Sequence, residues 1–159
     1  SFGSIINFYL YYYESRDKPH IKKSLLNLVR SLRNAAAHNN CIIYYLNKST
    51  SLPPSGISQF VSKIDTISKE RRKKGLTSRV ILEFVTLIYI YDKCVHGKVK
   101  KHRLRELNEL INNRMNEDYF KSNDLLCSAY HFVKQVTDFV IMEKSSWQRL
   151  IEELDYIQQ

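Results

Sequence analysis

Glycine and proline are scarce: 4 Gly and 3 Pro in 159 residues. A sandwich or barrel needs many more tight turns than so few breakers can supply, which nearly excludes an all-β fold and favours long helices before any periodicity is read. Cysteine is scarce too. Cys41, Cys94 and Cys127 are odd in number, far apart and without a C-x-x-C, so neither a disulfide framework nor a zinc site is indicated, and a reducing, cytoplasmic setting is the default. Long apolar runs are missing. The most apolar stretch, Val80 to Tyr91, contains Glu83 and falls well short of the roughly 20 residues that cross a bilayer, so it reads as a buried core helix. No basic n-region, apolar h-region and small-residue cleavage site opens the chain, and Ser1 is an unlikely native start. What is abundant is ordinary for a globular protein, 43% apolar and 26% charged residues, which bounds the chain at one domain or two small ones.

Periodicity supplies the elements. Residues 4–14 carry Ile5, Ile6, Phe8, Tyr9, Tyr12 and Tyr13, a pattern that also suits a strand; helix is favoured. Pro19 can open a second helix in which Ile21, Leu25, Leu28, Val29 and Leu32 recur at three- and four-residue steps, running to about His38, where Asn39 and Asn40 can terminate or bend it. The polar stretch 47–56, with two prolines, is the best internal boundary. It divides residues 1–46 from 57–159. Beyond it the pattern predicts a short helix from Ile57 to Ser68, a basic cluster closed by Gly75, and an apolar helix capped by Thr77 or Ser78 that runs to about Val95. An amphipathic basic helix follows from Lys98 to Asn116, with Leu104, Leu107, Leu110, Ile111 and Met115 on its apolar side. The next runs from Ser122 to Glu143, and Ser145 then caps a last segment with Trp147, Leu150, Ile151 and Leu154. The expectation is an all-α protein.

Charge is uneven. Lys and Arg total 25 against 16 Asp and Glu, a net +9, enough to suggest an anionic partner such as nucleic acid or a membrane surface. Residues 61–105 hold 13 cations and 4 carboxylates, a surplus equal to that of the whole chain. Within them Lys69, Arg71, Arg72, Lys73 and Lys74, and then Lys98, Lys100, Lys101, Arg103 and Arg105, flank the apolar helix and are candidates for RNA phosphates. A helix of about 18 residues separates the two groups by about 27 Å, so they make one track only if the fold joins them. Solvated helix faces are the plain alternative, and anionic lipid binding is weaker still, because no exposed Trp/Phe face accompanies the charge.

The most specific feature is the polar triplet Arg33, Asn34 and His38 at the end of an apolar helix. At about 100° per residue Asn34 and His38 lie about 40° apart and Arg33 about 140° from His38, within reach of a long guanidinium. Arg can grip a phosphate through two parallel hydrogen bonds and His exchanges protons near neutral pH, while Asn34 could orient either. Cleavage of RNA by its own 2′-hydroxyl needs a proton acceptor, a proton donor and positive charge at the phosphorane. One motif has one histidine. Two chains with these helices face to face would have two, and the alanines 35–37 permit close approach. The competing reading is a helix-end cap with an ion pair.

These residues also carry a resemblance. RNAAAHNN, Arg33 to Asn40, resembles the R-x4-6-H signature of the HEPN superfamily, in the RN-x-x-x-H form of Abi-like (abortive infection, AbiD/AbiF-type) bacterial proteins. SFGSIINFYL is similar to the segment before that motif helix, and KERRKKGLTSRVILEFVTLIYIYDKCV with KKHRLRELNELINNRM is similar to the family's C-terminal helical region. The resemblance implies a HEPN-like helical bundle portion followed by a basic helical C-terminal region, and a homodimer joined through the motif-bearing helices. It also implies a metal-independent endoribonuclease of phage defence or a toxin-like system, with Arg33, Asn34 and His38 catalytic, no cofactor, and a possible antitoxin or regulatory RNA as partner. Some members of the superfamily are non-catalytic binders. Family members are about twice as long, with helices before the SFG segment, which implies that this chain is a C-terminal fragment.

Other candidates are weaker. His20, His96, His102 and His131 are scattered, and Cys94 with His96 lacks partners at metal-ligand spacing. The tyrosines at 9, 11, 12 and 13 and the Tyr44/Tyr45 pair could stack on bases, but packing beside the motif helix is the favoured reading.

Overall fold

A computed structural model describes residues 1–17, 20–39, 41–49 and 52–157, with side chains to Met142. Among them the protein is all-α: α1 (Phe2–Glu14), α2 (Lys23–Ala37), α3 (Ser55–Val61), α4 (Lys69–Thr77), α5 (Arg79–Cys94), α6 (Gly97–Glu109) and α7 (Asp124–Ile157). The sole β feature among the described residues is one bridge between Ser49 and Ser78. The apolar helix α5 is the hub, packed by α2, α3, α4 and α7. Ile81, Leu82, Val85 and Ile88 enter the core at the three- and four-residue steps of one helix face. Leu25 of α2 and Leu46 join the same cluster as residues of α3 to α7. Residues 1–46 and 57–141 therefore share a core across the 47–56 segment.

Several local expectations are corrected. α2 begins at Lys23 rather than at Pro19, which lies outside the described residues, as does Asn40. α3 ends at Val61, not Ser68. Ser62 Oγ donates to the Gln59 carbonyl at 2.7 Å, Ile64 and Ile67 reach the core from turns, and Ser68 caps α4 instead, its hydroxyl accepting from Arg71 N at 3.2 Å. Gly75 does not close the basic cluster but sits inside α4. A Cβ there would come within 2.5 Å of the Phe132 ring, so the missing side chain lets α4 approach α7 closely.

Towards the C-terminus, α6 runs into a π turn (Leu110–Arg114), closed by Met115 N donating to the Leu110 carbonyl at 2.9 Å. The wider turn breaks the 3.6-residue register. Leu110 and Met115, expected on the apolar side, are exposed, while Leu104 and Ile111 are buried. α7 continues through Ser145, which was expected to start a new helix. Neither Gly nor Pro occurs between Glu143 and Trp147 to stop it. The side chains of Ser145, Trp147, Leu150, Ile151 and Leu154 lie outside the described residues.

Candidate active site

Helix α2 carries the motif at its C-terminal end. Leu25 and Leu32 are buried, Leu25 in the core cluster that α5 centres, which leaves Arg33, Ala36, Ala37 and His38 exposed. The helix stops because His38 leaves helical geometry (φ −99°, ψ 14°) and Asn39 takes φ +51°, a left-handed conformation that Asn tolerates better than most residues. A helix C-terminus presents carbonyls rather than N–H groups, so the backbone here repels a phosphate. Anion binding at this end falls to Arg33.

The three motif residues are only partly assembled. Arg33 Nη1 donates to Asn34 Oδ1 at 3.1 Å, and its guanidinium carbon lies 6.0 Å from the Phe2 ring centroid, on α1. Asn34 thus orients the arginine, and its tie to His38 is through the backbone, His38 N donating to the Asn34 carbonyl at 3.0 Å. No hydrogen bond or ion pair is made by the His38 imidazole among the described residues, and Arg33 meets no carboxylate. Among the described residues neither side chain makes a capping hydrogen bond or an ion pair.

Sequence reasoning missed the surface next to this end. On α1, Ile5, Phe8, Tyr11 and Tyr12 are exposed, Phe8 by 68% and Tyr11 by 71%. Ser1, Phe2, Ser4, Ile5 and Phe8 line an open hollow with Arg33. The signal was present as an excess of apolar residues over what one helix stripe can bury. Tyr9 and Tyr13 do pack, their centroids 4.6 Å apart, and Tyr9 Oη accepts from Ile21 N at 3.0 Å. Tyr44 is 77% exposed.

The two basic segments differ. On α4, Lys69, Lys73 and Lys74 are exposed and Arg71 and Arg72 half-buried, with no ion pair among the described residues. Glu70 lies between them, its carboxyl held below the ordinary value by its own backbone and Ser68 hydrogen bonds and by Lys69 and Arg72. On α6, Lys98, Lys101 and Arg105 are exposed and, spaced three and four apart, share one face. Lys100 does not join them. It is 5% exposed, its Nζ 2.9 Å from Asp92 Oδ1 and also on the Asp92 carbonyl, so it bolts α6 to the last turn of α5. Arg103 is held by Glu106 at 2.6 Å. The 16 residues of α5 put its ends about 24 Å apart, with α4 before one end and α6 after the other. Arg79, at the α4 end, donates to Ser31 Oγ at 3.0 Å, two residues before Arg33, and pairs with the buried Glu83 at 2.9 Å.

Compared with known proteins, the chain finds no match: no family model fits it, and neither a curated protein nor a solved structure is similar to it. Of the remaining histidines, His20 pairs with Glu14, His102 with Glu106 and His131 with Glu117, while His96 directly precedes α6. No group of three metal-ligating side chains is found among the described residues. No described helix is long and apolar enough to cross a membrane.

Proposed function

We propose that the protein is a metal-independent endoribonuclease of a bacterial phage-defence or toxin-like system, of the HEPN kind that its motif resembles. The observation that carries the reading is the exposed C-terminal end of α2, where Arg33 is aimed by Asn34 and, among the described residues, Arg33 pairs with no carboxylate and the His38 imidazole has no partner. Arg33 holds the scissile phosphate and balances the charge of the phosphorane. One imidazole takes the proton of the 2′-hydroxyl as its oxygen attacks phosphorus. A second protonates the 5′-oxygen as the P–O5′ bond breaks, leaving a 2′,3′-cyclic phosphate and a 5′-hydroxyl. A homodimer supplies the second imidazole, the partner's His38. The exposed Ala36 and Ala37 leave the helix free for close approach, and the cations of α4 and α6 attract the RNA.

The test is RNA cleavage in EDTA by the protein and by its His38→Ala and Arg33→Ala variants. Both positions are exposed, so the variants keep their helical circular dichroism, and each loses about 10²- to 10⁴-fold in rate. Unchanged cleavage by His38→Ala removes the catalytic assignment. The second reading is a non-catalytic RNA-binding or protein-interaction module. It is favoured by the exposed apolar stripe of α1, and it predicts binding without cleavage.

A further inference from the structure

A cavity of about 210 Å³ opens between α4, α5, α7 and the segment after Leu46, and none of its lining residues belongs to the motif helix. Its floor is apolar, formed by Phe132 and Ala129, both buried. Its walls carry Asn47, Ser49 and Ser128, whose side chains have no hydrogen-bond partner among the described residues. Arg71 and Lys74 line it, with no carboxylate in the lining. At about 100° per residue these two lie about 60° apart on α4, on the side away from Lys69, Arg72 and Lys73. The helix thus turns Arg71 and Lys74 towards this cavity and its other three cations to the opposite side.

The walls are fixed in advance. Ser78 Oγ donates to the Leu46 carbonyl at 3.0 Å, Arg79 N donates to the Lys48 carbonyl at 3.0 Å, and Ser49 bridges to Ser78. The segment 46–49 is thereby pinned to the α4–α5 junction. Gly75 keeps the floor low, since any Cβ there would collide with Phe132. A preformed apolar cleft with a few convergent polar groups is the usual form of a ligand site. This one is below the roughly 300 Å³ at which pockets for drug-sized molecules begin. It suits a single heterocycle, with its charged substituent left at the rim. A long acyl chain would strand the wall hydroxyls and amide without partners, and a bare phosphate would leave the apolar floor unused.

We propose that this cavity binds a nucleoside 5′-monophosphate unit. The base lies against the exposed side chain of Leu125, above the buried Phe132 and Ala129, its edges meeting Asn47, Ser49 and Ser128, and the phosphate is held by Arg71 and Lys74. The site stands whether or not Arg33 and His38 cut RNA. The unit is either a free nucleotide or the 5′-terminal nucleotide of an RNA.

The experiment is titration of the intact protein with AMP, adenosine and inorganic phosphate, followed by calorimetry and by the amide resonances of Leu46, Ser49 and Phe132. AMP is expected to bind in the sub-millimolar range and to move those resonances, with adenosine and phosphate each at least tenfold weaker. Arg71→Ala and Lys74→Ala each weaken AMP about five- to tenfold. Ser128→Phe, which fills the mouth and leaves both cations in place, abolishes binding, and Arg114→Ala, exposed and outside the lining, leaves AMP binding unchanged. A 5′-phosphorylated RNA oligomer that displaces AMP, where its 5′-hydroxyl counterpart does not, assigns the site to RNA ends. Failure of both oligomers to displace AMP assigns it to free nucleotide. The proposal is overturned if AMP at 5 mM moves none of these resonances, if phosphate binds as tightly as AMP, or if Ser128→Phe and the two alanine variants bind AMP like the parent.

Discussion

Two basic segments of almost equal charge in the sequence meet different fates in the fold. The cations of α4 keep no carboxylate partner within ion-pair distance among the described residues, and two of them line a cavity. Those of α6 are partly spent on structure, Lys100 in a buried bolt to Asp92 and Arg103 on Glu106. A run of Lys and Arg reports how much positive charge a segment has, but not how much of it an outside anion can use. Burial and local pairing decide that, and here they favour α4. The same end of α5 also touches the motif helix through Arg79 and Ser31, which brings usable charge and the candidate chemistry to one side of the hub.

The sharpest way to break this comparison is to remove a structural partner rather than a surface cation. Asp92→Ala leaves the Lys100 ammonium buried without its carboxylate, a change that costs about 3–5 kcal/mol in comparable sites. Lys101→Ala, one residue further on an exposed face, stays within about 0.5 kcal/mol. Urea unfolding of both measures the contrast, and the double variant Asp92→Ala/Lys100→Met should recover much of the loss, because an apolar side chain needs no counter-charge. Equal midpoints for Asp92→Ala and Lys101→Ala would show that Lys100 is not a structural cation.

A smaller effect is expected where α4 meets α7. Gly75→Ala places a methyl within 2.5 Å of a ring that is 1% exposed, so Phe132 or the helix must shift. Overpacking of this kind costs about 1–3 kcal/mol, although alanine is the better helix former by about 1 kcal/mol. The melting temperature falls by several degrees, read by circular dichroism. A rise would mean that α4 can retreat from α7 at no cost.

The position of Gly75 also shows what the sequence could and could not disclose. As a helix breaker it suggested the end of the basic cluster, and only the neighbour 57 residues away explains its place inside the helix. Elements with a strong 3.6-residue period were legible: α2, α5, the apolar row of α6 as far as Leu107 and that of α7 from Ala129 to Val140 follow from spacing alone. The end of α3 was not, because Ile64 and Ile67 continue the period while Ser68 is recruited as the cap of the next helix. Lys100 was unreadable for a similar reason, since its partner stands eight residues back across a helix junction. In the candidate site the residue types at the end of α2 were legible. The hydrogen bond that gives Asn34 to Arg33 rather than to His38 was not, and neither was the exposed face of α1, which depends on what fails to pack against it.

The smallest expected effect concerns the surface pair on α6. A 2.6 Å hydrogen bond from Arg103 holds the Glu106 carboxyl below its ordinary value of 4.5, with the Arg103 charge and His102 adding to the effect. A folded-state value lowered in this way contributes stability that is fully present above the unfolded-state value and is lost as the pH falls through the folded one. Glu106→Gln should therefore unfold slightly before the parent at neutral pH, and the two curves should merge as the solution is taken below the folded value. Both partners are exposed, so the gap is close to the limit of detection and shrinks with added salt. A gap that persists unchanged in acid would mean that Glu106 acts through packing, and α6 would then owe less of its order to charge than its sequence suggests.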